Sequence, residues 1–205
     1  VFLRSGVFGG LLAGAIWGTI WQTLLCVALI VGTGLSIKLE VAPGLIAGSV
    51  IGLFNVAFKP NNKKLYVMVG FLLTTFLLVL CSFGQPFGSE FPISQWSTMI
   101  CILTLSSLIF FSVYLCVGSL TAGFGRKYLI EAFYSRLIWG LGLLFLILVV
   151  TIPFYVMIMT SLKNQQSLLK NPLDLSIDIS VGFEKLFNSY IELFVKYDFL
   201  TLLIN

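Results

Sequence analysis

Hydrophobic residues in this chain fall in long unbroken runs, and charged residues are confined to short clusters between them. Charge-free stretches cover residues 5–37, 41–58, 65–89, 91–125 and 137–162. Because an α-helix rises about 1.5 Å per residue, crossing a hydrocarbon core of about 30 Å takes roughly 20 apolar residues. Four of the runs exceed that length. The run at 41–58 has 18 residues, which falls within the usual range of about 17–25. The pattern predicts an all-α integral membrane protein with about five transmembrane helices.

The last stretch, 163–205, breaks this pattern, carrying nine of the chain's charges interleaved with apolar residues. Asn171-Pro172 and Asp174 read as a turn or extended segment, since the residue before a proline is pushed out of the helical region. Ser180 is a candidate N-cap. After it Phe183, Phe187, Tyr190, Phe194 and Tyr197 recur at helical spacing, with Glu184, Lys185, Asn188, Ser189, Glu192 and Lys196 on the other face. The expectation is an external amphipathic C-terminal helix that packs on its own protein, lies on the membrane surface or docks a partner.

Composition agrees with a membrane protein: 59% of residues are apolar and 10% charged, with a mean hydropathy of +1.06, against about a quarter charged in soluble domains. The net charge of +4 sits in clusters at the borders of the runs. Lys59, Lys63 and Lys64 lie between the second and third runs, and Arg126, Lys127 and Arg136 between the fourth and fifth, opposed by Glu131 alone. Loops rich in Lys and Arg stay in the cytoplasm. The alternate connections, Lys38 to Glu40 and the one at Glu90, carry no excess of base. The expected topology is a multi-pass protein of the plasma (inner) membrane with a cytoplasmic N-terminus, Arg4 on the inner side and an external C-terminal tail. The lipid bilayer is the expected partner, and nucleic acid is not.

The chain has no histidine, which excludes Ser-His-Asp and Cys-His machinery and His-ligated metal or haem. Cys26, Cys81, Cys101 and Cys116 sit inside apolar runs without C-x-x-C spacing and read as small buried apolar side chains. There is no Walker-type Gly-Lys-Ser/Thr loop. No acid or base lies in the middle of a run, as a proton-coupled carrier or a charged-ring channel would require. An enzyme is not expected, and no catalytic, cofactor-binding or metal-ligating residue and no cofactor is assigned. Gln22, Asn55 and the Thr74-Thr75 pair are the notable polar side chains of the first three runs, each expected to hydrogen-bond a neighbouring helix. Gly6, Gly10, Gly14 and Gly18 recur every fourth residue, and Gly44, Gly48 and Gly52 repeat the spacing in the next run. Such strips permit close backbone approach, so the two helices are expected to pack on each other or on a second copy. Pro153 can kink the fifth helix. Trp17, Trp21, Trp96 and Trp139 suit interfacial or packing positions.

From about Arg136 onward the order of residues is more specific. Leu148-Val149-Val150-Thr151-Ile152-Pro153-Phe154-Tyr155 leads to Thr160-Ser161-Leu162-Lys163. Pro172-Leu173, then Phe187-Asn188-Ser189-Tyr190-Ile191-Glu192-Leu193-Phe194, then Phe199 and a Leu-Leu-Ile-Asn ending at Asn205 follow. This resembles the first membrane helix and external segment of maltose-type (carbohydrate) ABC transporter permeases. The resemblance implies a permease subunit of an ABC importer for sugars or similar solutes. Its partners would be a second permease subunit, a cytoplasmic ABC ATPase and an external solute-binding protein. Residues 131–205 would be the start of the permease-like domain, and 1–130 a four-span region of unknown family that does not match the short cytoplasmic N-terminus usual in the family. The family's coupling loop, with its Glu-Ala-Ala signature, would fall after Asn205, so with Val1 at the other end the expectation is part of a larger permease. The competing expectation is a five-span membrane scaffold or assembly protein with no transport activity of its own.

Overall fold

The computed structural model describes residues 5–33, 39–58, 63–81, 95–118, 120–121, 123 and 127–163, with the isolated positions 187, 190, 191, 194, 199 and 204. Among these the chain forms five α-helices: α1 (Gly6–Thr33), α2 (Ala42–Ala57), α3 (Lys63–Cys81), α4 (Gln95–Val117) and α5 (Lys127–Leu162). The fold is all-α, and α1, α3, α4 and α5 are each long and apolar enough to cross a membrane. The protein is a membrane-embedded, multi-helix protein, as the charge-free runs predict.

The shortest helix is α2. Its run loses a residue at each end, because Val41 acts as N-cap and Phe58 leaves the helix with extended backbone. The 16 residues that remain span about 24 Å, several Å short of a hydrocarbon core of about 30 Å. Pro43 sits in its first turn, where the missing N–H costs nothing and the fixed φ favours helix. Its buried positions are Pro43, Gly44, Ala47, Gly48, Ile51, Gly52, Asn55 and Val56. They form one stripe at helical period, as expected of a helix enclosed by others.

The chain divides into two compact units, Val1–Val27 with Ser36–Leu144, and Ala28–Leu35 with Phe145–Asn205. In the first unit the glycine strips meet. Gly10 faces Gly52, Gly14 faces Gly48 and Gly18 faces Gly44, an order that makes α1 and α2 antiparallel. A Cβ added at any of these six positions would lie within 3.0 Å of the opposing helix, mostly of backbone, so only glycine allows this approach. Each glycine costs about 1 kcal/mol of helix propensity relative to alanine. Close van der Waals contact and Cα–H···O bonds offset that cost where burial of apolar surface gives helices no reason to associate.

The rest of the core is built of side chains. α4 buries Leu105, Ile109, Phe110, Val113 and Cys116 on one face. α3 turns Gly70, Thr74 and Leu78 inward, and the Phe110 ring occupies the space a Cβ at Gly70 would need. Trp17 and Trp21 of α1 stack with ring centroids 6.2 Å apart. Their indole N–H groups reach α4, Trp17 Nε1 donating to Cys116 Sγ at 3.0 Å and Trp21 Nε1 to Ser112 Oγ at 2.8 Å. This pair therefore has the packing role. Trp96 and Trp139, 78% and 76% exposed, have the exposure of interfacial residues.

α5 begins at Lys127, well before the charge-free run at 137, so most of the stretch read as a loop around Arg136 is helical. Lys, Glu and Arg are good helix formers, and Phe133 and Leu137 anchor this end by burial. The Lys127–Glu131 ion pair, 3.8 Å and largely exposed, adds about 0.3–0.5 kcal/mol at most. In the second unit the helix continues through Pro153 to Leu162. Thr160 and Ser161 near its end donate to carbonyls of their own helix, Val156 O at 2.9 Å and Ile158 O at 2.7 Å. The amphipathic helix expected after Ser180, and the turn at Asn171-Pro172, lie almost wholly outside the described residues; Phe187, Tyr190 and Phe194 are its described apolar positions.

Candidate functional site

The register that buries the glycine strip of α2 also buries Asn55 in its last turn. Asn55 is 4% exposed. Tyr66, in the first turn of α3, donates its hydroxyl hydrogen to Asn55 Oδ1, while Asn55 Nδ2 has no hydrogen-bond partner. Asn55 thus bonds a neighbouring helix, as expected, but with only one end of its amide.

Aromatic rings surround this pair. Phe58 stacks on Phe54 at 5.2 Å and Phe54 on Tyr66 at 5.5 Å, and Tyr66 lies 6.0 Å from Tyr114 of α4. Tyr114 in turn stacks on Phe110 at 6.0 Å. Between the ends of these helices is a recess of about 200 Å³ lined by Asn55, Phe58, Lys63, Tyr66, Tyr114, Val117 and Gly118. Gly118 forms its wall for a conformational reason. Its φ of +51° is the left-handed conformation that closes a helix, and its N–H donates to Tyr114 O at 3.1 Å. It also lacks a Cβ where the Arg136 guanidinium lies against it.

The same end of this unit gathers the basic residues. Lys63 and Lys64 start α3, Lys127 and Arg136 lie in the first part of α5, and Gly6 at the start of α1 donates its N–H to Gly123 O at 3.2 Å. The clusters flanking the third and fifth helices therefore share one end of the bundle, as alternate crossings require. Among the described residues Glu131 is the acid here, paired with Lys127.

Of the other polar side chains, Thr74 and Thr75 bond not to a neighbouring helix but to carbonyls of their own, Gly70 O at 2.7 Å and Phe71 O at 2.9 Å. Threonine in a helix readily back-bonds four residues upstream, which satisfies the hydroxyl without a partner helix. Gln22, fully buried, directs Nε2 toward Cys26 Sγ, 4.0 Å away on the same helix. All four cysteines are free; Cys26 and Cys116 are buried as expected, whereas Cys81 and Cys101 are only partly so. Among the described residues no group of three His, Cys, Asp or Glu side chains is placed to hold a metal ion. Neither Tyr66 nor Tyr114 stands out in the sequence, because aromatic residues are common at the ends of membrane spans. Compared with models of protein families, with curated proteins and with solved structures, the chain matches none.

Proposed function

We propose that this protein is a membrane-spanning permease subunit of an ABC importer for sugars or similar solutes, without catalytic activity of its own and driven by a separate ATPase. The proposal rests on the resemblance of residues 136–205, and one observation in the second unit supports it. The Tyr190 hydroxyl donates to Ser161 Oγ at 2.7 Å. Ser161 belongs to the Thr160-Ser161-Leu162-Lys163 exit of the membrane helix, and Tyr190 to the Asn188-Ser189-Tyr190 string of the segment beyond it. Two separate pieces of the resemblance thus meet in space.

In this reading α5 is a peripheral helix that embraces a second permease subunit. No residue in its most apolar stretch is buried. The basic end, with Lys63, Lys64 and Arg136, faces the cytoplasm of an inner membrane by the retention of cationic loops. The segment after Lys163 is external, where a solute-binding protein delivers its cargo. A second reading, a scaffold or assembly protein with no transport activity, draws on the self-contained packing of α1 with α2, which leaves no polar path between them.

Mild-detergent purification of the chain from its own membranes, with cross-linking and mass spectrometry, tests both. Recovery of an ABC ATPase and a second permease supports the transporter. A stable complex with a non-transporter protein and no ATPase overturns it in favour of the scaffold.

A further inference from the structure

We infer that the recess between the ends of α2, α3 and α4 binds a phosphate group, presented by a phospholipid headgroup or by a free phosphate anion. The inference does not depend on the permease reading. Asn55 lines the recess, and its Nδ2 is a buried donor with no hydrogen-bond partner. Leaving such a donor unsatisfied is costly, and native structures seldom do so. Lys63 lines the same recess and has no ion pair among the described residues. The charge and the free donor therefore call for the same complement, an anionic acceptor.

The lining excludes other classes. It contains no carboxylate, and the Lys63 ammonium repels a metal ion or a second ammonium group. Its volume of about 200 Å³ is below the roughly 300–1,000 Å³ of sites for drug-sized ligands, yet several times the share of one water, about 30 Å³. One small polar group fits. The position selects phosphate among anions. Lys63 begins α3 immediately before the apolar run, and Phe58 at the recess is 62% exposed. That is the depth at which a bilayer presents its headgroups. Arg136, against Gly118, adds positive potential behind the wall, and the oxygens of a phosphate can accept from ammonium and amide at once.

The test is native mass spectrometry of the full chain in detergent, with phosphatidylglycerol, diacylglycerol and inorganic phosphate supplied separately. Retention of phosphatidylglycerol but not diacylglycerol, weakened about tenfold or more by Asn55→Asp and by Lys63→Gln, identifies a lipid headgroup. Inorganic phosphate binding with the same sensitivity, and no lipid retention, identifies free phosphate. Lys127→Gln, which removes a charge from the same end but outside the recess, is expected to leave either binding unchanged. Circular dichroism checks each fold, and Lys63→Gln, at an exposed position, decides the matter should Asn55→Asp not assemble. Binding of neither phosphate source, equal retention of diacylglycerol, full binding by Lys63→Gln, or an equal loss with Lys127→Gln overturns the inference.

Discussion

Where α1 meets α2 there are six glycines and hardly a side chain between the two backbones, whereas from Phe145 to Leu162 α5 presents Phe145, Leu146, Val149, Val150, Ile152 and Phe154 outward. By hydrophobicity alone the second surface is the stickier, and in water it would be the one to associate. In a bilayer the ranking reverses, because lipid tails solvate leucine and valine as well as another helix does. Contact then depends on how closely backbones approach and on the few polar groups that prefer each other to lipid. The glycine seam is a committed interface. The α5 surface is compatible with lipid and is also available to a protein.

The most damaging way to break this contrast is to put a side chain into the seam. Gly48→Leu would drive an isobutyl group, Cβ first, into the α1 backbone at Gly14, which cannot yield as a side-chain end can. A loss of about 3 kcal/mol or more is expected, read as an earlier transition when the purified protein is titrated with denaturing detergent and followed by Trp fluorescence. An unchanged midpoint would mean that the seam does not hold the helices together. A smaller effect is expected at Gly140, where the N-terminal half of α5 uses the same device once. A Cβ there would sit 2.8 Å from the six-membered ring of Trp17. Because the obstacle is the far end of a side chain, the indole can tilt, and Gly140→Ala should cost about 1 kcal/mol. A shift of indole emission should accompany the cost, since Trp17 would strain its bond to Cys116.

The elements themselves were legible because charge is so expensive in hydrocarbon that it punctuates the spans. The glycine spacing identified the contact surfaces of α1 and α2 for a related reason: in a helix apolar all round, absence of side chains is the only local sign of a partner. Reading failed where the decisive neighbour is distant in sequence. Nothing near Trp17 indicates that its indole bonds Cys116, nothing near Asn55 indicates Tyr66, and the side chains that form the recess come from three helices. The start of α5 was hidden for the opposite reason. Lys127, Glu131 and Arg136 signal the end of hydrocarbon, not the end of a helix, and α5 continues past the charge boundary because its first turns still bury Phe133 and Leu137.

The smallest expected effect is on the C-terminal half of α5, and its smallness is informative. Leu146 and Val150 are one turn apart on this helix, and both are exposed. Replacing both with alanine removes little packing among the described residues, so the detergent midpoint of the isolated protein should move by no more than about 0.5 kcal/mol. Alanine is also the better helix former, which excludes loss of the helix as a confounding cause. If the surface serves only lipid, association with other membrane proteins should be equally indifferent. If it receives a second permease subunit, the truncated side chains leave a gap on the contacting face, and recovery of that subunit should fall while stability holds. A fall in stability without a change in recovery would show that this half of α5 packs within its own chain, and the contrast with the glycine seam would disappear.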